Sequence, residues 1–210
     1  MDALVTRVLH EYDARIAQER ALAEHLGAAE FRRRVNEFLL PIGPESGQFL
    51  NILIKAANSQ CILEVGTSYG YSTVWLAEAA RATGGKVVTL ELAADKADFA
   101  RQRVSEAGLA DYVEFKIGDA LESIAALVEP LDFVLIDLWK DLYVPCLEGI
   151  YPHLRTGALL AADNILAPES SRAGTAQYVS AVKLKLGIQT ITVPIGSGIE
   201  LSRFTRPTRG

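Results

Sequence analysis

"CILEVGTSYGYSTVWLAEAARATGGKVVTLEL", residues 61 to 92, decides the fold. Its first five residues are apolar except for Glu64 and read as a strand. "GTSYG" is a loop, "YSTVWLAEAARATGG" a helix closed by glycines, and "KVVTLEL" a second strand. Strand, helix and strand in that order make a crossover unit with the two strands parallel. The rhythm continues downstream. "DKADFARQRVSEAG" reads as a helix, "YVEFKIG" as a strand, "DALESIAALVE" as a short helix and "LDFVLIDL" as a strand. Tyr143 to Leu154 reads as helical, "GALLAADN" as a strand and "SSRAGTAQYVSAVKLKLG" as a helix. "IQTITVPI" and "GIELSRF" close the chain as a hairpin across Gly196-Ser197.

This alternation predicts an α/β fold, a doubly wound, Rossmann-like sheet of seven strands. The sheet is mostly parallel with the last strand antiparallel, and helices cover both faces. Ahead of it, Leu4, Val5, Val8, Leu9, Tyr12 and Ile16 recur at helical spacing. "AAEFRRRVNEFLL" is a second amphipathic piece ending at Pro41. After a turn, a third helix buries Phe49, Leu50, Leu53 and Ile54. The 210 residues suit a single domain, with a helical segment at 1–58 and the α/β core at 59–210.

Composition narrows the partners. The net charge of −5 argues against nucleic acid or an anionic membrane surface. Cys61 and Cys146 are too few for a disulfide framework or a zinc cluster. The first twenty residues carry charges throughout, with no signal-peptide core, and no apolar run approaches a membrane span. A cytoplasmic protein is expected.

The chemistry lies at the strand ends. Acids close five successive strands: Glu64, Glu91, Asp119, Asp137 and Asp163, the last followed by Asn164. Helix capping explains some of these, Asp119 above all. Gly66 and Gly70 in "EVGTSYGYS" permit a tight turn and close backbone approach at a helix N-terminus, where carboxylates and phosphates bind. The G-x-x-x-G spacing is not the dinucleotide fingerprint. Glu91 ends the second strand, where a carboxylate can accept both hydroxyls of an adenosine ribose, whichever cofactor carries it. Asp137 with Asp163 and Asn164 ends two strands that can be neighbours, so three hard oxygen donors can converge. Such a set suits Mg²⁺ better than zinc. Lys140 falls beside the same point, and a lysine held near a divalent cation can serve as a general base.

Taken together, "ILEVGTSYGYSTVWLA" resembles the first motif of class I S-adenosylmethionine-dependent methyltransferases. "FVLIDLWKDLYVPCLE" with "GALLAADNIL" resembles the catechol and caffeoyl-CoA O-methyltransferases, bacterial members included. "GPESGQFLNILIKAANSQCILEVG" and "PIGSGIELSRF" are similar to the caffeoyl-CoA branch, so the resemblance spans roughly residues 38 to 204. It implies S-adenosylmethionine as cofactor, with Mg²⁺, or Mn²⁺ or Ca²⁺ in its place, on Asp137, Asp163 and Asn164. Lys140 would deprotonate the hydroxyl to be methylated. Glu91 with Leu92 would meet the cofactor ribose. Glu64, Gly66 and Ser72 would line its methionine end, with Ile42 and Gly43 close by. Asp119, Ala120 and Trp139 would flank the adenine, with Asp137 bordering both ligands.

The implied acceptor is a small phenolic molecule with vicinal hydroxyls, CoA-linked in one branch of the family, and the implied assembly is a homodimer. Leu138 departs from catechol O-methyltransferases, which carry a polar residue there. Two alternatives stand beside this expectation: a nicotinamide-dependent oxidoreductase on a similar sheet, and a non-catalytic relative that binds S-adenosylmethionine. His10, His25 and His153 show no ligand spacing. Cys146 and Tyr143 read as packing residues, and "RRR" at 32–34 as a solvated helix face.

Overall fold

The structure, a computed structural model, describes residues 1–169 and 172–207. Its strands are β1 (Cys61–Val65), β2 (Lys86–Glu91), β3 (Val113–Ile117), β4 (Leu131–Ile136), β5 (Leu154–Ala162), β6 (Ile188–Val193) and β7 (Ile199–Phe204). Its helices are α1 (Ala3–His25), α2 (Ala28–Arg34), α3 (Pro44–Ala57), α4 (Tyr71–Thr83), α5 (Ala94–Glu106), α6 (Ala120–Ala125), α7 (Tyr143–Ile150) and α8 (Arg172–Leu184). The sheet order is β3-β2-β1-β4-β5-β7-β6. Pairing is parallel from β3 to β5, and β7 runs antiparallel to both β5 and β6. The chain winds outward from β1 to one edge, then returns to β4 on the other side. That reversal opens a crevice at the carboxyl ends of β1 and β4.

Register carries the polar residues to one level. Ile117 pairs with Glu91, Leu90 with Val65, Val65 with Ile136, and Ile136 with Ala162. The ladders run on past the strands, with the Asp137 N–H donating to the Val65 carbonyl (2.9 Å) and the Asp163 N–H to the Ile136 carbonyl (3.1 Å). Glu91, Gly66, Asp137 and Asp163 therefore stand side by side on four adjacent strands. Nothing in their sequence spacing shows this.

Two apolar clusters cover the two faces. On one, α1, α3, α4 and α5 bury Val8, Tyr12, Leu50, Ile54, Val74, Leu76 and Phe133; on the other, α6, α7 and α8 bury Leu63, Val134, Ile136, Leu147, Ile150 and Tyr178. Each large side chain removed from water contributes about 1.5–3 kcal/mol. The stripe of α1 packs on its own domain, against α4 and α5, with Val5, Val8, Leu9 and Tyr12 buried. Leu4, expected in that stripe, is half exposed. Asp2 caps α1 by accepting from the Leu4 and Val5 N–H groups, both at 3.0 Å.

Several boundaries differ from those expected, and proline accounts for most. The helix expected over 119–129 stops at Ala125, four residues before Glu129, which Pro130 disfavours from helical geometry. The helix expected to reach Leu154 ends at Ile150 and tightens into a single turn over Tyr151–His153 around Pro152, which has no N–H to continue the ladder. Leu154 already opens β5, whose register against β4 shifts between Leu154 (opposite Leu131) and Leu159 (opposite Phe133); the strand starts earlier than "GALLAADN" and ends before Asp163. The β6–β7 turn is five residues, Pro194 to Gly198, because Pro194 cannot pair. "AAEFRRRVNEFLL" breaks after Arg34 into one tight turn and an extended strap. Ser170 and Ser171, placed at the start of the last helix, lie outside the described residues. Among the described residues no helix is long and apolar enough to cross a membrane.

Candidate active site

Gly66 begins the site because nothing larger fits there. Its φ is +106°, and a methyl group on it would sit 2.0 Å from the Asp137 carbonyl oxygen. The absence of a side chain lets the loop after β1 lie flat on the loop after β4. The Gly66 and Thr67 N–H groups both donate to the Leu90 carbonyl (3.1 Å), Ser68 adopts a left-handed φ of +46°, and Gly70 (φ +87°) starts α4.

Glu91 is already oriented. One carboxylate oxygen accepts from the Ser68 N–H (2.7 Å) and the other from the Ala93 N–H (3.0 Å), leaving each oxygen able to accept a further hydrogen bond. Glu64, two residues before Gly66, is fully buried. It accepts from the Thr73 hydroxyl (2.6 Å) and the Thr89 hydroxyl (2.5 Å), and Ser72 interacts with it as well. Burial pushes its carboxyl up to about 7, with those hydroxyls opposing the shift. Glu64 thus lies beneath the loop as a support. Thr73 and Thr89 were not singled out in the sequence, since only their register reveals them.

Four residues meet at the ends of β4 and β5. The Lys140 ammonium donates to the Asn164 amide oxygen (2.8 Å), the Tyr143 hydroxyl oxygen (2.6 Å) and the Leu138 carbonyl (3.1 Å), and stands 3.5 Å from Asp137. Asn164 reaches it from a left-handed backbone, φ +58°. Asp163 is 1 % exposed, and neither of its carboxylate oxygens makes a hydrogen bond of good geometry. Burial first, and Asp137 second, raise its pKa well above the usual carboxylate range; the Asn164 N–H and Lys140 draw it back only in part. Burial also raises Asp137, against the pull of Lys140. Lys140 offsets these two buried carboxyls only in part, and Asp163 keeps both oxygens without a hydrogen bond of good geometry. Their oxygens, with the Asn164 amide oxygen, suit a hard divalent cation. Among the described residues no three His, Cys, Asp or Glu side chains gather to hold a metal, so such a site depends on the amide.

Tyr143 joins this group unexpectedly. It packs, as its sequence context suggests, fully buried with its ring edge-on to Tyr178. Its hydroxyl also donates to the Asp163 carbonyl (3.0 Å), tying Lys140 to the end of β5. Asp119 caps α6 through the Leu121 and Glu122 N–H groups (2.7 and 3.1 Å), and the Gly118 N–H donates to the Glu91 carbonyl (2.9 Å). Ala120 is partly buried beside them. Leu92, Ile117, Trp139 and Leu166 are exposed apolar side chains, a rim along the ends of β2 to β5. Ile42 is buried, and Gly43 (φ +84°) caps α3; both belong to the strap and do not touch the Asp137–Lys140–Asn164 group by any hydrogen bond found among the described residues. Ser72 is buried in the first turn of α4. His10, His25 and His153 lie away from the site, and Cys146 is buried with its thiol pushed up to about 12 by desolvation, so it packs and does not react.

The seven-stranded fold is that of S-adenosylmethionine-dependent methyltransferases of known structure. A solved O-methyltransferase from Bacillus cereus in complex with SAH superposes with a TM-score of 0.75 at 26 % identity, covering 98 % of this chain and 92 % of that one. A crystal structure from Klebsiella pneumoniae gives 0.76 at 25 % identity, covering 98 % and 91 %. A family profile described as O-methyltransferase matches residues 14–204, and the chain belongs to that family. It is 34 % identical over 152 residues to the catechol O-methyltransferase of Mycobacterium tuberculosis, covering 72 % of this chain and 67 % of that protein. It is 28 % identical over 186 residues to caffeoyl-CoA O-methyltransferase 5 of Nicotiana tabacum, covering 79 % and 77 %. The protein is an S-adenosylmethionine-dependent O-methyltransferase of the catechol and caffeoyl-CoA type, and the nicotinamide alternative is set aside.

Proposed function

We propose that this enzyme methylates one hydroxyl of a catechol-like, vicinal dihydroxy small molecule in a Mg²⁺-dependent reaction. The observation that carries the proposal is Asp163, a buried carboxylate without a hydrogen-bond partner beside Asp137, Asn164 and Lys140. Asp137, Asp163 and Asn164 would hold the cation, and Mn²⁺ or Ca²⁺ would suit the same oxygens. When bound, it would favour the ionised form of the acceptor hydroxyl and gather two adjacent oxygens.

The chain's own residues do the rest. The neutral amine of Lys140 takes the proton from the hydroxyl to be methylated and becomes the ammonium, whose nitrogen Tyr143 and the Leu138 carbonyl keep at the strand end. Glu91 accepts from the cofactor ribose beside Leu92. Ser72 and the backbone of the Gly66 loop receive the methionine end above Glu64, near Ile42 and Gly43. Asp119, Ala120 and Trp139 flank the adenine. An in-line displacement then depends on how closely these two sets fix their reactants. The apolar rim supports an aromatic acceptor, free or CoA-linked, as do the names of the two relatives. Homodimeric assembly, a cytoplasmic location, and the lack of nucleic-acid or membrane partners belong to the same proposal, on family resemblance and net charge.

Mass spectrometry of a panel of phenols incubated with enzyme and S-adenosylmethionine tests it. Vicinal diols should gain one methyl group, EDTA should abolish the product, and added Mg²⁺ should restore it. Equal methylation of monohydroxy phenols, or full activity in EDTA, would overturn the proposal. Cofactor binding with no product from any acceptor would instead favour a non-catalytic relative.

A further inference from the structure

We infer that Glu19 on α1 is a positioning residue for the cofactor site, latching the strap of residues 36–43 onto the loop that orients Glu91; the inference rests on the assignment of Glu91 to the cofactor ribose. The latch is a closed chain of contacts among three segments far apart in sequence. One Glu19 carboxylate oxygen accepts from the Leu39 N–H (2.7 Å), and the other pairs with Arg15 Nε (2.6 Å). The carbonyl of Leu39 accepts from the Ser68 hydroxyl (3.3 Å), and the Ser68 N–H donates to Glu91 (2.7 Å). The two peptide groups of Leu39 thus join α1 on one side to the cofactor loop on the other.

The neighbouring residue of the loop closes the circuit. Tyr69 donates its hydroxyl to the Asn36 carbonyl (3.0 Å), and its own carbonyl accepts from the Tyr12 hydroxyl (2.5 Å). The Arg15 guanidinium lies 4.7 Å from the Tyr69 ring centre and 5.2 Å from that of Phe99, and it reaches the Glu37 carbonyl (3.4 Å). Glu19 is thereby a charge held in place by a stacked arginine, with 18 % of its side chain exposed. A carboxylate accepting from a backbone N–H in such a partly shielded setting makes one of the stronger hydrogen bonds available.

The strap needs such a hold. Leu40 is a non-glycine residue at φ +46°, and Gly43 sits at φ +84°. Left-handed backbone at a leucine persists only where its surroundings impose it. Leu39 and Ile42 point into the core, 2 % and 4 % exposed, whereas Leu40 is 45 % exposed. Without Glu19, the Leu39 N–H loses its acceptor, and the strap and Ser68 lose their common anchor. Glu91 then loses one of the two donors that orient it.

Calorimetric titration with S-adenosylhomocysteine, paired with hydrogen exchange on the ligand-free protein, tests this. Glu19→Ala should weaken binding about tenfold and raise the KM for S-adenosylmethionine to match, with kcat within about twofold. Amides of residues 36–42 should exchange faster in that variant without any ligand present. Glu19→Gln keeps an acceptor for Leu39 and should recover most of the affinity. Glu11→Ala, which removes the Arg103 pair elsewhere on α1, should leave affinity unchanged. Affinity of Glu19→Ala within about twofold of wild type, unchanged strap exchange, or an equal loss in Glu11→Ala would overturn the latch. Retained wild-type affinity in Glu91→Ala would overturn the ribose assignment instead, and the inference with it.

Discussion

At the scale of single residues, Glu64, Asp137 and Asp163 are acids whose surroundings resist their charge. Glu64 shows this most simply, because its carboxyl is raised from about 4.5 to about 7 by burial. A carboxyl whose folded pKa exceeds its unfolded one contributes its stability below the unfolded value, and that contribution is lost as pH rises through the folded value. Between pH 4.5 and 8 the wild type should therefore lose stability, on the order of 2–3 kcal/mol, that Glu64→Gln does not lose. Denaturant unfolding of both proteins at the two pH values checks it; a pH-independent difference between them would show that Glu64 is ionised without penalty. The strand-end acids were legible in the sequence because a polar residue after an apolar strand has few explanations. Tyr143 was legible only as a packing residue. Its hydroxyl meets Lys140 and Asp163 through tertiary placement that no local pattern encodes.

At the scale of elements, function depends on loops pressed together by the parallel sheet. Gly66 is the contact point, with the Asp137 carbonyl where its side chain would be. Gly66→Ala should push the β1 and β4 loops apart, weaken S-adenosylhomocysteine binding at least tenfold and cost about 1–3 kcal/mol of stability. Calorimetry on the folded variant measures both, and unchanged affinity would mean the two loops need not touch. Strands and long helices were readable from periodicity, since each buries one stripe or one whole strand. Their ends were less so. Pro130, Pro152 and Pro194 shortened elements whose apolar pattern ran on, because a missing N–H or a disfavoured backbone outweighs a weak periodic signal.

At the scale of the whole molecule, four adjacent strands deliver Glu91, Gly66, Asp137 and Asp163 to one level, and the helices fix that level from both faces. The doubly wound class followed from alternation alone. The N-terminal helix packs on its own domain, with Tyr12 and Glu19 reaching the loops of the site. What stays central is the cation proposed between β4 and β5. Titration of Mn²⁺ into the protein saturated with S-adenosylhomocysteine, followed by electron paramagnetic resonance, reads that site without any turnover. One tight site per chain, lost in Asp163→Asn while S-adenosylhomocysteine still binds, is the expected result. Equal Mn²⁺ binding by wild type and Asp163→Asn, or no tight site in either, would contradict it.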